Sequence, residues 1–113
     1  MNSEWNLLWI DDVAAWADHN FPTETPETVV LGLAEEVGEM CRAALKRYQG
    51  IRGSRAEWDV EIRKESGDVF IKLVHVAHVH GFDLLSAIQS RWGDVSQRDW
   101  RANPIGHGLP DER

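Results

Sequence analysis

Proline and glycine punctuation divides this chain into four stretches of helical periodicity, and no segment shows the sustained alternation of apolar and polar residues that a half-buried strand requires. The fold class that follows is all-α. The first stretch, about Glu4 to His19, sets Trp5, Leu8, Trp9, Val13 and Trp16 on one face and ends before Asn20-Phe21-Pro22. The second opens with Thr25 as N-cap and Pro26 at the first helical position, and runs to about Tyr48, ahead of Gly50 and Gly53. The third begins at Ser54-Arg55-Ala56-Glu57, a capping box, and stops at Gly81. The fourth follows Asp83 as N-cap and reaches about Trp100. Pro104, Gly106, Gly108 and Pro110 then mark an extended tail, so the expected organisation is a helical domain over 1–100 and a tail over 101–113.

The third stretch is apolar nearly all round after Asp68, through Val69, Phe70, Ile71, Leu73, Val74, Val76, Ala77 and Val79. Such a helix needs burial on every side, and 113 residues build one domain with few neighbours to provide it. The expectation is a four-helix bundle completed by oligomerisation, with this helix against its symmetry mate in a homodimer or a dimer of dimers.

A formal net charge of -7 argues against a protein held to nucleic acid or to an anionic membrane by its overall field. Lys72 interrupts the longest apolar run, which leaves no candidate membrane span. The single cysteine, Cys41, cannot form an internal disulfide, and the first residues lack the basic start of a secretory signal; a reducing, cytoplasmic setting is expected.

Two acidic clusters carry the chemistry: Glu35-Glu36-Val37-Gly38-Glu39 in the second stretch and Glu65-Ser66-Gly67-Asp68 in the third. The i, i+3 spacing puts Glu36 and Glu39 on one side of their helix and Glu65 and Asp68 on one side of theirs. A helical wheel gives Val30, Leu33, Val37, Cys41, Ala44 and Tyr48 as the core stripe of the second helix, with Glu36 and Glu39 flanking it on the side of Gly32 and Ala43. In the third helix Trp58, Ile62, Val69, Leu73 and Val76 form the stripe, and Glu61, Glu65, Asp68 and Lys72 its edge. Packed as an antiparallel pair, the two helices bring four carboxylates together, and clustered anions resist ionisation unless a cation sits among them. All-oxygen ligation suits Mg²⁺ or Mn²⁺, and Mg²⁺ commonly works with substrate phosphates. Gly38 and Gly67, unfavourable within helices, imply close helix approach or room for a ligand.

Arg42, Lys46, Arg47, Arg52 and Arg55 follow the first cluster without an intervening acid, and Arg91 and Arg98 share a face of the last helix. Acids that hold metal beside a cationic rim suit a polyphosphate, with Lys46, Arg52, Arg91 and Arg98 as phosphate-binding candidates. His75, His78 and His80 lack the Glu-x-x-His pattern of a di-iron bundle and read as buried or interface histidines.

These residues resemble the MazG-like all-α nucleoside triphosphate pyrophosphohydrolases, related to the dimeric dUTPases. The resemblance rests on Leu31 to Met40, on Leu45 to Gly53, on Glu65-Ser66-Gly67-Asp68-Val69, on Gly81-Phe82-Asp83-Leu84 and on Arg98-Asp99-Trp100. The last helix departs from it, with Arg91 and Val95 where many members have lysine and asparagine. What the resemblance implies is Mg²⁺ on Glu36, Glu39, Glu65 and Asp68, and hydrolysis of a (d)NTP to the (d)NMP and pyrophosphate, with Glu36 or Glu39 as the base that activates water. Lys72 would touch a phosphate, and the nucleobase would stack near Trp16, His19, Asn20 and Phe21. Nucleotide-pool sanitation is the matching role; the competing reading is a non-catalytic helical module that binds nucleotides or partner proteins.

Overall fold

The computed structural model describes the backbone of residues 3–110 and the side chains of residues 9–110. It contains four helices, α1 (Ser3–Asn20), α2 (Pro26–Gln49), α3 (Arg55–His80) and α4 (Leu84–Val95), and no strand among the described residues. The ends of α2 and α3 are fixed by local chemistry. Thr25 accepts the backbone N–H of Thr28, whose own side chain accepts the N–H of Thr25; Ser54 and Glu57 make the same reciprocal pair for α3. Gly50 and Gly81 close these helices in the left-handed conformation that glycine adopts without strain. No single described helix is long and apolar enough to cross a membrane.

The chain divides after Gly81 into two compact units. In the first, α2 and α3 form an antiparallel hairpin whose register can be followed from end to end. His80 donates to the Pro26 carbonyl at 2.9 Å, the Ser66 hydroxyl lies 3.6 Å from the Met40 sulfur, and Arg47 donates to Asp59 at 2.6 Å. Near the connection Trp58 donates its indole N–H to the Ile51 carbonyl at 3.0 Å, with the Arg42 guanidinium over its ring. The helix α1 runs alongside α3 in the same direction. Trp9 packs on Phe70 with ring centres 5.3 Å apart, and His78 meets the Asp18 carboxylate at 2.9 Å.

The core of this unit comprises Val13, Ala17, Val29, Ala43, Val74, Val76 and Ala77. Four consecutive residues of α3, Val74 to Ala77, are buried in the single chain, while Val69, Ile71, Leu73 and Val79 are half-buried and Phe70 is 39% exposed. The expected α2 stripe is corrected. Leu33 and Val37 are half-buried, but Val30, Cys41, Ala44 and Tyr48 are exposed, Tyr48 at 87%, while Val29 and Ala43 are the buried positions. The packing face of α2 is therefore rotated by about one residue, toward the side that carries Gly32 and Glu36. On α3 the acids expected at the edge lie within the packing face, for Glu65 is 5% exposed. Of the α1 stripe, Val13 is buried and Trp9 half-buried, Trp16 is 52% exposed, and Trp5 and Leu8 lie outside the residues whose side chains are described.

The second unit holds α4 and the segment that follows. Asp83 caps α4 by accepting the Ser86 N–H at 3.0 Å. The helix ends at Val95, short of the expected Trp100, because Asp99 offers the backbone other partners. Its carboxylate takes the N–H groups of Arg101 and Ala102, and its own N–H donates to the Gly108 carbonyl at 2.7 Å. Residues 101–110 thus turn back on Asp99, where an extended course was expected. Gly108 is buried at φ 74, and a Cβ there would press on the Trp100 ring at 2.9 Å.

Candidate functional site

The antiparallel register brings the two acidic clusters together. Carboxylate oxygens of Glu36, Glu65 and Asp68 lie within 4.8 Å of one another. Glu65 is buried and the other two are half-buried, a donor set that fits a hard divalent cation. Burial holds the Glu65 carboxyl above the usual carboxylate range, and Glu61 adds to this while Lys64 opposes it. Glu39, one turn along α2, is exposed, lies outside the group and makes no ion pair among the described residues.

Lys64 is a residue that the sequence reading did not single out. Its ammonium lies 3.4 Å from Glu65, 3.6 Å from Asp68 and 3.7 Å from Glu61, so a cation from the protein itself rests against this acidic group. The carboxylates, Glu65 foremost, hold its proton more firmly than usual. An i, i+4 spacing to Asp68 was the available signal.

Of the glycines, Gly32 rather than Gly38 or Gly67 is the one that makes room. A Cβ at Gly38 or Gly67 would meet nothing within 4 Å, whereas one at Gly32 would collide with the Cε and Nζ atoms of Lys72. The bare backbone of Gly32 lets the Lys72 side chain lie across α2. Its ammonium stands 5.3 Å from the centre of the Phe21 ring and makes no ion pair among the described residues.

Beside the acids opens a cavity of about 330 Å³ lined by Glu36, Asp68, Ile71 and Lys72 on one side and by Trp16, Phe21 and His75 on the other. Trp16 meets Phe21 edge-on at 5.7 Å, and Phe21 stacks on His75 at 5.9 Å and 29°. His75 is 2% exposed. Burial pushes its imidazole below the ordinary histidine range, and the charge of Lys72 pushes the same way. The cavity therefore has an ionic end and an aromatic end within one unit.

The other candidates sit elsewhere. His19 is exposed, and the Asn20 side chain donates to the Trp16 carbonyl at 2.9 Å; neither lines the cavity. Lys46 donates to Gln49 at 3.3 Å, and Arg52 is exposed in the α2–α3 connection at φ 63, a left-handed conformation uncommon for residues other than glycine. In the second unit Arg91 pairs with Asp94 at 3.3 Å, and the Arg98 guanidinium stands 6.0 Å from the centre of the Trp100 ring.

A family model for the MazG nucleotide pyrophosphohydrolase domain matches residues 24–99. The chain belongs to the MazG family. Searches of curated proteins and of solved structures return no match. The matched segment takes in all the acids of the cluster together with Lys72 and His75, but it begins after Trp16 and Phe21. In this MazG domain the ionic end of the cavity thus lies wholly within the family segment, and two of the three rings at the aromatic end precede it.

Proposed function

We propose that this MazG domain is a Mg²⁺-dependent pyrophosphohydrolase that converts a (d)NTP to the (d)NMP and pyrophosphate, in the service of nucleotide-pool sanitation. The observation that carries the reading is one cavity bordered by the Glu36, Glu65 and Asp68 carboxylates, by the Lys72 ammonium and by the Trp16 and Phe21 rings. Glu36, Glu65 and Asp68 would hold the ion, with Glu39 completing the set or acting beside it; Mn²⁺ suits the same oxygens. When bound, the ion supplies positive charge against the triphosphate.

The chain's own groups account for the remainder. Lys72 directs a cation into the cavity and would hold a phosphate oxygen. Trp16 and Phe21 offer ring surface for a base. Water attacks the α-phosphorus, the bond to the bridging oxygen of the β-phosphate breaks, and the water proton passes to a glutamate. Glu36, which lines the cavity, and Glu39, exposed and outside the three-acid group, are the two candidate bases. Lys46 and Arg52, in the same unit as the cavity, remain candidates for the outer phosphates.

Purified protein incubated with Mg²⁺ and a panel of NTPs and dNTPs should release pyrophosphate, and Asp68→Asn or Glu36→Gln should abolish the release. A wild type that binds nucleotides yet forms no monophosphate would sink the reading. The expected homodimer belongs to the same proposal. Leu31, Leu45, Tyr48 and Val60 are at least half exposed, leaving the outer surface of the α2–α3 hairpin for a second copy to cover. Light scattering at micromolar concentration should give twice 12.9 kDa.

A further inference from the structure

His75 is the least expected member of the cavity wall. It stands among Val74, Val76 and Ala77, where an aliphatic side chain would pack as well, and it is as buried as they are. A buried imidazole ordinarily finds a hydrogen-bond partner. Among the described residues His75 has none: Asp18 is taken by His78, the Pro26 carbonyl by His80, and the contact of His75 is the ring of Phe21. Yet among the described residues no half-buried or buried side chain has a nitrogen or oxygen both sealed from solvent and unbonded. The polar atoms of His75 are therefore open to the cavity that the residue lines.

Its neighbours define what such an atom can meet. Lys72, one turn before it, and the carboxylates of Glu36 and Asp68 give the ionic end of the cavity, while Phe21 and Trp16 give two ring surfaces set at 77° to each other. A ligand with phosphates at the first end and a planar ring on the second places the polar edge of that ring against the imidazole. A volume of about 330 Å³ admits one such ring system. The neutral imidazole carries one donor and one acceptor, so it can pair with an amide-like edge and leaves that edge unpaired when the wrong base is bound.

We propose that His75 is the specificity-determining residue of this site, hydrogen-bonding the polar edge of a nucleobase stacked against Trp16. The proposal rests on the nucleotide reading above, deepens it, and makes discrimination between bases depend on one ring nitrogen. Phenylalanine at this position would keep the aromatic wall and remove the polar atoms.

The test is a binding panel that does not depend on turnover. Non-hydrolysable α,β-methylene analogues of the four nucleoside triphosphates are titrated by calorimetry, with Mg²⁺, into wild type and His75→Phe, and the corresponding natural nucleotides are assayed for kcat/KM. The preferred base should weaken by at least about 10²-fold in the variant, while poorly accepted bases change little and tripolyphosphate binds as before, so that the panel flattens. His75→Gln, which retains a polar edge, should keep a preference, and it serves in place of His75→Phe if the latter fails to fold. A wild type without base preference overturns the proposal, as does a His75→Phe that lowers every analogue equally or preserves the wild-type order. Selective binding without hydrolysis would leave His75 in this role and remove the enzyme reading alone.

Discussion

Replacing Gly32 by alanine isolates the contribution of Lys72 without touching a charged group. The added Cβ would occupy the space of the Lys72 Cε and Nζ atoms, and because these form the end of a flexible side chain, the lysine moves and the helices stay. Two small stability effects oppose each other. Alanine in a helix interior gains about 0.5–1 kcal/mol over glycine, and the loss of the ammonium from the Phe21 ring costs about the same. Thermal melting should therefore shift by less than about 4 °C. The effect on catalysis is not balanced in this way. A charge-assisted hydrogen bond to substrate contributes about 1.5–3 kcal/mol, so kcat/KM for the best nucleotide should fall by about 10- to 150-fold. Lys72→Met and the double variant complete a thermodynamic cycle. If Gly32 acts by giving room to Lys72, the double variant is no slower than Lys72→Met, whereas independent effects would multiply. Full activity in Gly32→Ala, or multiplicative losses, would refute the reasoning.

Four further variants have defined outcomes. Glu65→Gln should raise the melting temperature of the metal-free protein, and more at pH 7 than at pH 4. The folded chain holds the Glu65 proton more firmly than the unfolded one, so its ionisation destabilises the fold as pH rises above the usual carboxylate value. The same variant should lose pyrophosphate release and any rise in melting temperature on addition of Mg²⁺; an unchanged metal response would exclude Glu65 as a ligand. Lys64→Met removes the cation resting against Glu65 and Asp68, so calorimetry should show tighter Mn²⁺ binding, and weaker binding would contradict the competition. His75 stays neutral in the fold at pH values where the unfolded chain already protonates. It therefore contributes stability that is complete above about pH 6.5 and lost as pH falls through the lowered folded value, and His75→Phe should flatten the melting profile between pH 7 and 5. Gly108→Ala forces a Cβ onto Trp100 at a positive φ, and limited proteolysis should then cut within 101–110 first.

The helix limits were legible because they are written in single residues: Thr25, Ser54 and Asp83 as caps, and Gly50 and Gly81 as stops. The acidic pairs were legible for the same local reason, since i, i+3 spacing fixes a face without knowledge of the fold. What failed was the inference about which face packs. Val30, Cys41 and Tyr48 extend the apolar pattern of α2 to one side, yet the α2–α3 contact takes in Glu36, Glu65 and Gly32, polar or small residues that break that pattern. Functional sites are where patterning rules are expected to fail. Of the three histidines expected to be buried or at an interface, His75 is buried and His78 and His80 are exposed; the place of His75 on a cavity wall depends on Trp16 and Phe21, far from it in sequence. Likewise Lys64 sits on an acid-rich face as any surface lysine would; only the convergence of α2 onto α3 gives it significance.

The register of the α2–α3 hairpin governs how the chain can tolerate changes in length. The pairs Pro26 with His80, Met40 with Ser66 and Arg47 with Asp59 hold a fixed correspondence from one end of the hairpin to the other. An extra residue in the connection between Gly50 and Ser54 can bulge outward and leave that correspondence intact. An extra residue inside α2 between Glu36 and Gln49 turns everything before it by roughly 100° and shifts it by about 1.5 Å, which swings Glu36 away from Glu65 and Asp68 and takes Val29 and Gly32 off the packing face. Insertions and deletions should therefore be admissible at the tip of this hairpin and excluded from its arms, where the spacing of three carboxylates and the burial of Val29 depend on the same register.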